Sequence, residues 1–160
     1  MKVKLSDVID GIDTVSMSID CILDMETGEI FAIDGSDVLG AEDAAESAEI
    51  LELLDEHGFT RLPDIYEIND YGTMEDFIET QPDSIRRVLY PAIRGSGAFR
   101  RFKDAVYRLG IEKSWYEFRD AAHRDIAEDW CIGNRIDYEN DVGEKVSENQ
   151  SGADNSGEDE

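Results

Sequence analysis

Thirty-nine Asp and Glu against fifteen Lys and Arg give this 160-residue chain a formal charge of −24. That balance excludes a net binder of nucleic acid or of an anionic membrane, because both partners need cationic surface. The 41% apolar share is enough for a core, and the length fits one domain.

Arg outnumbers Lys ten to five, and Asp is abundant. This bias suits either a salt-rich cytoplasm, where screening weakens self-repulsion, or an ordinary acidic cytosolic protein. Cys21 and Cys131 form no Cys-x-x-Cys pair and no zinc spacing, and both lie in apolar patterns, so they read as buried free thiols. No apolar run approaches membrane-spanning length, and the first residues carry no signal-peptide core. The expected location is cytoplasmic, with no membrane partner.

Leu5 to Ile12, with Ser6 or Asp7 as cap, predicts a helix of two turns at most, because Gly11 weakens it. Ser16 to Leu23 alternates, with Met17, Ile19, Cys21 and Leu23 on the inner face of a strand. Glu26-Thr27-Gly28 supplies a turn, and Glu29 to Asp34 returns as the second strand of a hairpin. Asp34 to Asp37 reads as a loop and Glu42 to Glu56 as a helix that ends at Gly58. Phe59 to Leu62, stopped by Pro63, predicts a third strand at a sheet edge.

Asp70 or Thr73 caps a helix carrying Met74, Phe77 and Ile78. A further helix from Asp83 contains Pro91, which predicts a kink or break near Tyr90. The next helix, capped by Ser96 and closed by Gly110, places Ala98, Phe99, Phe102, Ala105, Val106 and Leu109 within about 120° of arc. The longest helix, about 112 to 132, places Trp115, Phe118, Ala122, Ile126 and Trp130 in one arc. From Glu139 onward too little apolar material remains to offset ordering entropy, so 139–160 reads as an acidic disordered tail behind a globular domain of residues 1–138.

Arg94, Gly95, Gly97, Arg100 and Arg101 form the leading candidate site. Cations gather there at a glycine-rich helix start, where amides and the macrodipole already favour an anion. The run departs from the dinucleotide fingerprint: Arg stands at its sixth position, and no strand precedes it. The competing reading is that the glycines let two helices meet sharply while the arginines pair with carboxylates. Arg119 falls on the apolar stripe of the long helix, so it must be paired, stacked or snorkelling. With Tyr116 and His123 it either lines a pocket shared with Arg94 or Arg100, or forms a buried ion pair. His123 is the candidate acid or base; the competing reading makes it an edge-of-core or surface histidine. The carboxylates show no calcium-loop or His-Glu-x-x-His spacing, so neither a metal nor a cofactor is expected.

Gly97-Ala-Phe-Arg-Arg-Phe-Lys-Asp104 and Trp115-Tyr-Glu-Phe-Arg-Asp120 resemble the signature of a small uncharacterised prokaryotic protein family. The N-terminal Lys-Leu-Ser-Asp-Val-Ile and the hairpin Glu26-Thr-Gly-Glu-Ile30 resemble it too, so the likeness runs from about Met1 to Tyr138. It implies a single domain and carries no activity. Pro91 and the long acidic tail depart from the family pattern.

The expected fold is α+β: a small antiparallel sheet of about three strands packed against five or six helices. The expected function is a non-enzymatic regulatory or interaction protein that holds an anionic group of a small ligand or protein partner at the Arg/Gly-rich helix start. One alternative is an enzyme acting on a phosphorylated small molecule, with Arg94 and Arg100 as clamp and His123 as acid or base. A second is an acidic nucleic-acid mimic that blocks a basic partner.

Overall fold

A computed structural model describes residues 1–34 and 52–143. The predicted 35–37 loop, most of the helix predicted from Glu42, and the tail beyond 143 lie outside the described residues. The fold is α+β, and the chain divides into two compact units: Met1–Asp64 with the chain from His123 onward, and Ile65–Ala122.

The first unit begins with strand β1 (Val3–Lys4) and helix α1 (Leu5–Thr14). Strands β2 (Ile19–Asp24), β3 (Ile30–Asp34) and β4 (Phe59–Arg61) form an antiparallel sheet in the order β3-β2-β4. Cys21 faces Ala32 and Ile22 faces both Phe31 and Arg61, so β4 is the edge strand that Pro63 predicts. The hairpin turn is tied by Asp24, whose Oδ1 accepts from the Glu26 amide at 2.8 Å, while Gly28 takes φ +86°. Residues 52–56 are helical and end at Gly58, which takes φ +89° as a C′ glycine does.

Three local expectations are corrected here. Helix α1 runs ten residues and is preceded by Lys4, not capped by Ser6 or Asp7. The helix runs through Gly11, which serves packing: a Cβ added there would lie 2.6 Å from Leu62 Cδ2 and 3.9 Å from Cys21 Cβ. Met17 precedes β2 and is 79% exposed; Cys21, Ile22 and Leu23 are buried in succession, so β2 is covered on both faces rather than alternating.

Strand β5 (Tyr138–Glu139) pairs in parallel with β1, Val3 against Tyr138. Ser6 then donates through its amide and its hydroxyl to the Asp141 carboxylate. Glu139 and Asp141, assigned to the tail from composition, are therefore held by the N-terminal segment through strand pairing and hydrogen bonds that composition does not report.

The second unit holds helices α2 (Ile65–Ile68), α3 (Asp70–Glu79), α4 (Asp83–Ala92), α5 (Ala98–Arg108) and the start of α6 (Glu112–Gly133). Its core gathers Met74, Phe77, Ile78, Leu89, Ile93, Phe102, Val106 and Trp115. Phe77 meets Phe102, Trp115 and Phe118 edge-on, and Phe102 meets Trp115 at 4.8 Å between centroids. Such edge-to-face pairs add roughly 0.5–1.5 kcal/mol each beyond area burial.

Helix starts and stripes also depart from expectation. Asn69 caps α3 from a left-handed conformation, its side chain accepting from the Gly72 amide, in place of Asp70 or Thr73. Gly97, at φ +80°, precedes α5 in place of Ser96. Phe99 is 51% exposed, at the boundary of its helix's buried face. On α6 the buried positions are Trp115 and, eight residues on, His123, Ala127 and Cys131 at intervals of four; Phe118, Ala122, Ile126 and Trp130 are half-buried.

Candidate functional site

Helix α4 continues through Tyr90 and Pro91 and ends at Ala92. The proline removes the donor that would reach the preceding turn, but only in the last turn, where little ladder remains to be lost. The chain then turns through Gly95 and Gly97, at φ +75° and +80°, into α5. Left-handed backbone of this kind is cheap only for glycine.

Arg101 closes this turn. Its Nε donates to the Ala92 carbonyl at 2.9 Å, one Nη to Ser96 at 2.6 Å, and the other Nη to the Arg94 carbonyl. The guanidinium therefore serves the carbonyl of the last residue of α4 and two carbonyls of the turn that follows. Its donors point into the turn, where they are engaged by backbone carbonyls.

Arg94 lies instead with residues the sequence argument passed over. Asp83, Arg86, Arg87, Tyr90, Pro91 and Arg94 line an open depression of about 370 Å³ along α4. Their spacing of three, four, seven, eight and eleven from Asp83 is that of one helical face, and this was the signal available in the sequence. Arg86 pairs with Asp83. Among the described residues no carboxylate pairs with Arg87 or Arg94, nor with Arg100, Lys103 or Arg108 on α5.

Tyr116 and Arg119 do come together. The guanidinium lies over the Tyr116 ring, 5.3 Å from its centroid, and Nη2 is 3.6 Å from Asp120. Stacking is how a half-buried cation is accommodated on an apolar stripe. Its Nε is shielded from solvent without a hydrogen-bond partner among the described residues.

His123 is not on that surface. It belongs to the first unit, is 3% exposed, and lies 2.6 Å from Asp13 through Nδ1. A carboxylate accepts, so Nδ1 carries the proton and the ring orientation is set from α1. The edge or surface placement is thereby corrected: the imidazole is a core group whose partner stands 110 residues away in the chain.

Both thiols are free and buried. Burial, reinforced by Glu128, pushes Cys131 up to about 11; burial, then Asp20, raises Cys21. Neither is an activated nucleophile, since activation requires a lowered value. Among the described residues, no group of three or more His, Cys, Asp or Glu is arranged to hold a metal ion. No helix among them is long and apolar enough to cross a membrane. Comparison with family models, curated proteins and solved structures gives no match for this chain.

Proposed function

We propose that this chain is a non-enzymatic interaction protein that holds an anionic partner on the surface formed by residues 83–108. One observation carries the reading. Acids outnumber cations 39 to 15, yet seven Lys and Arg stand against two Asp between residues 83 and 108. Five of those seven, Arg87, Arg94, Arg100, Lys103 and Arg108, have no carboxylate partner among the described residues. So many acids offer ample opportunity for pairing, and leaving cations unmatched in one segment keeps a local positive field for an incoming anion.

Glycines 95 and 97 shape the turn between the two cationic helices, Arg101 stiffens it, and Arg94 supplies charge beside it. Tyr116 and Arg119 form a cation–aromatic pair in the same unit. An acid–base role gains no support, because the candidate imidazole of His123 is closed to solvent and engaged by Asp13.

The test is a triple charge reversal, Arg87→Glu, Arg94→Glu and Arg100→Glu, compared with the wild type for retention of partners at low and high ionic strength. Retention should fall at least about tenfold in the variant and should weaken with salt in the wild type. Equal retention by variant and wild type rejects the reading.

A further inference from the structure

The exposed side of α5 has a composition that separates one kind of anion from another. On a helical wheel Phe99, Lys103 and Tyr107 form one row, and Arg100, Asp104 and Arg108 the row beside it. All six are exposed; Phe99 shows 51% of its surface and Tyr107 70%. Aromatic rings and cations thus alternate over a helix of 11 residues, about 16 Å long. Phe99 has an aromatic neighbour. The Tyr71 ring meets it edge-on at 6.5 Å, and the Tyr71 hydroxyl donates to the Ile93 carbonyl at 2.7 Å. A ring contact of this kind narrows the rotamer freedom that Phe99 gives up on binding, which lowers the entropy cost of using it.

We infer that the Phe99–Lys103–Tyr107 and Arg100–Arg108 rows of α5 dock an acidic amphipathic peptide segment of a protein partner. Carboxylates of that segment pair with Arg100, Lys103 and Arg108, and its apolar side chains pack on Phe99 and Tyr107. The inference rests on the anionic-partner reading above and narrows it to one chemistry.

Three features favour a peptide over a nucleic acid. Asp104 stands between Arg100 and Arg108, where a continuous phosphate backbone meets repulsion; a peptide can place a hydroxyl or lysine opposite it. Exposed aromatics without an enclosing wall suit side-chain packing, and flanking cations set register and orientation. A nucleic acid presents a phosphate at every nucleotide, more than the three cations of these two rows can match, whereas a short segment can bear only a few carboxylates.

The experiment uses the full chain and three fluorescent probes. The first is a peptide of about four helical turns with Glu on one face and Leu and Phe on the other. The second has the same charge with Ser in place of Leu and Phe, and the third is a single-stranded oligonucleotide of equal charge. The first should bind at least about tenfold more tightly than the other two, because only it packs apolar side chains on both aromatic anchors. Phe99→Ser with Tyr107→Ser should remove that advantage, Arg100→Glu with Arg108→Glu should abolish binding, and Lys113→Glu should change nothing. Circular dichroism and thermal melting establish that each variant is folded.

If the charge-matched Ser peptide or the oligonucleotide binds as well as the first probe, the inference falls while the anionic-partner reading stands. If no anionic probe binds the wild type and the charge reversals leave partner retention unchanged, both fall.

Discussion

Gly11 shows how a single residue changes meaning between sequence and structure. By propensity it costs α1 about 1 kcal/mol relative to alanine. In the fold, the absent methyl is what lets α1 approach Leu62 and the sheet, with the Cys21 thiol 3.4 Å from the Gly11 carbonyl. Overpacking a site this close costs roughly 1–3 kcal/mol. Gly11→Ala should therefore destabilise the protein by about 1 kcal/mol net despite better helix propensity, and Leu62→Ala in the same chain should remove the penalty specific to the alanine. A urea-melt double-mutant cycle measures this; a stabilised single variant would show that the contact yields without cost. Cys131 gives a pH prediction at the same scale. Its thiol is raised from 9.0 to about 11, so the folded state keeps a proton that the unfolded chain releases. The associated stability is complete below pH 9.0 and is lost as pH rises toward 11. Thermal melts between these values should fall less steeply for Cys131→Val than for the wild type. Both thiols should resist a disulfide reagent at neutral pH until denaturant is added.

At the scale of elements, the α4–α5 turn is the part most dependent on one side chain. Arg101 supplies a planar fork to three carbonyls, and a Cβ on Gly97 would lie 2.9 Å from its Nη1. Lysine has one nitrogen and no fork. Arg101→Met should cost about 1–2 kcal/mol, and Arg101→Lys should recover only part of it, read by urea melts. Faster amide exchange confined to residues 93–98 would place the loss in the turn; unchanged stability would mean the fork adds nothing. The parallel β1–β5 pairing works differently. Only two residues on each side pair, yet Ser6 fastens Asp141 by two hydrogen bonds that hold its carboxyl below the ordinary 3.8. A short ladder is thereby joined to a polar clasp, and neither end of the chain announces it alone.

Charge is distributed unevenly over the whole molecule. Residues 65–122 contain nine of the fifteen Lys and Arg against ten of the thirty-nine Asp and Glu, so that unit is close to neutral. The acidity belongs to the remainder of the chain. At physiological ionic strength charges are screened over about 8 Å, so a partner at residues 83–108 experiences local cations more than the global −24. The composition argument against nucleic acid concerns the net field. It does not address a patch of this size, and for that reason peptide and oligonucleotide are compared directly in the binding test.

Residue order alone determined the hairpin, the edge strand stopped by Pro63, the run of helices from Asp70 and, Phe99 apart, the apolar stripe of α5, because each depends on local periodicity or on the stereochemistry of glycine and proline. It also located the cationic segment, although the face shared by Asp83, Arg86, Arg87, Tyr90 and Arg94 went unread beside the glycine-rich turn. Tertiary structure alone decided that Arg101 turns onto backbone carbonyls, that His123 meets Asp13, that Gly11 is a contact rather than a flaw, and that Phe99 stays outside. The physical reason is common to all four. Each outcome depends on a partner brought close by folding, and periodicity within one segment carries no information about what packs against it.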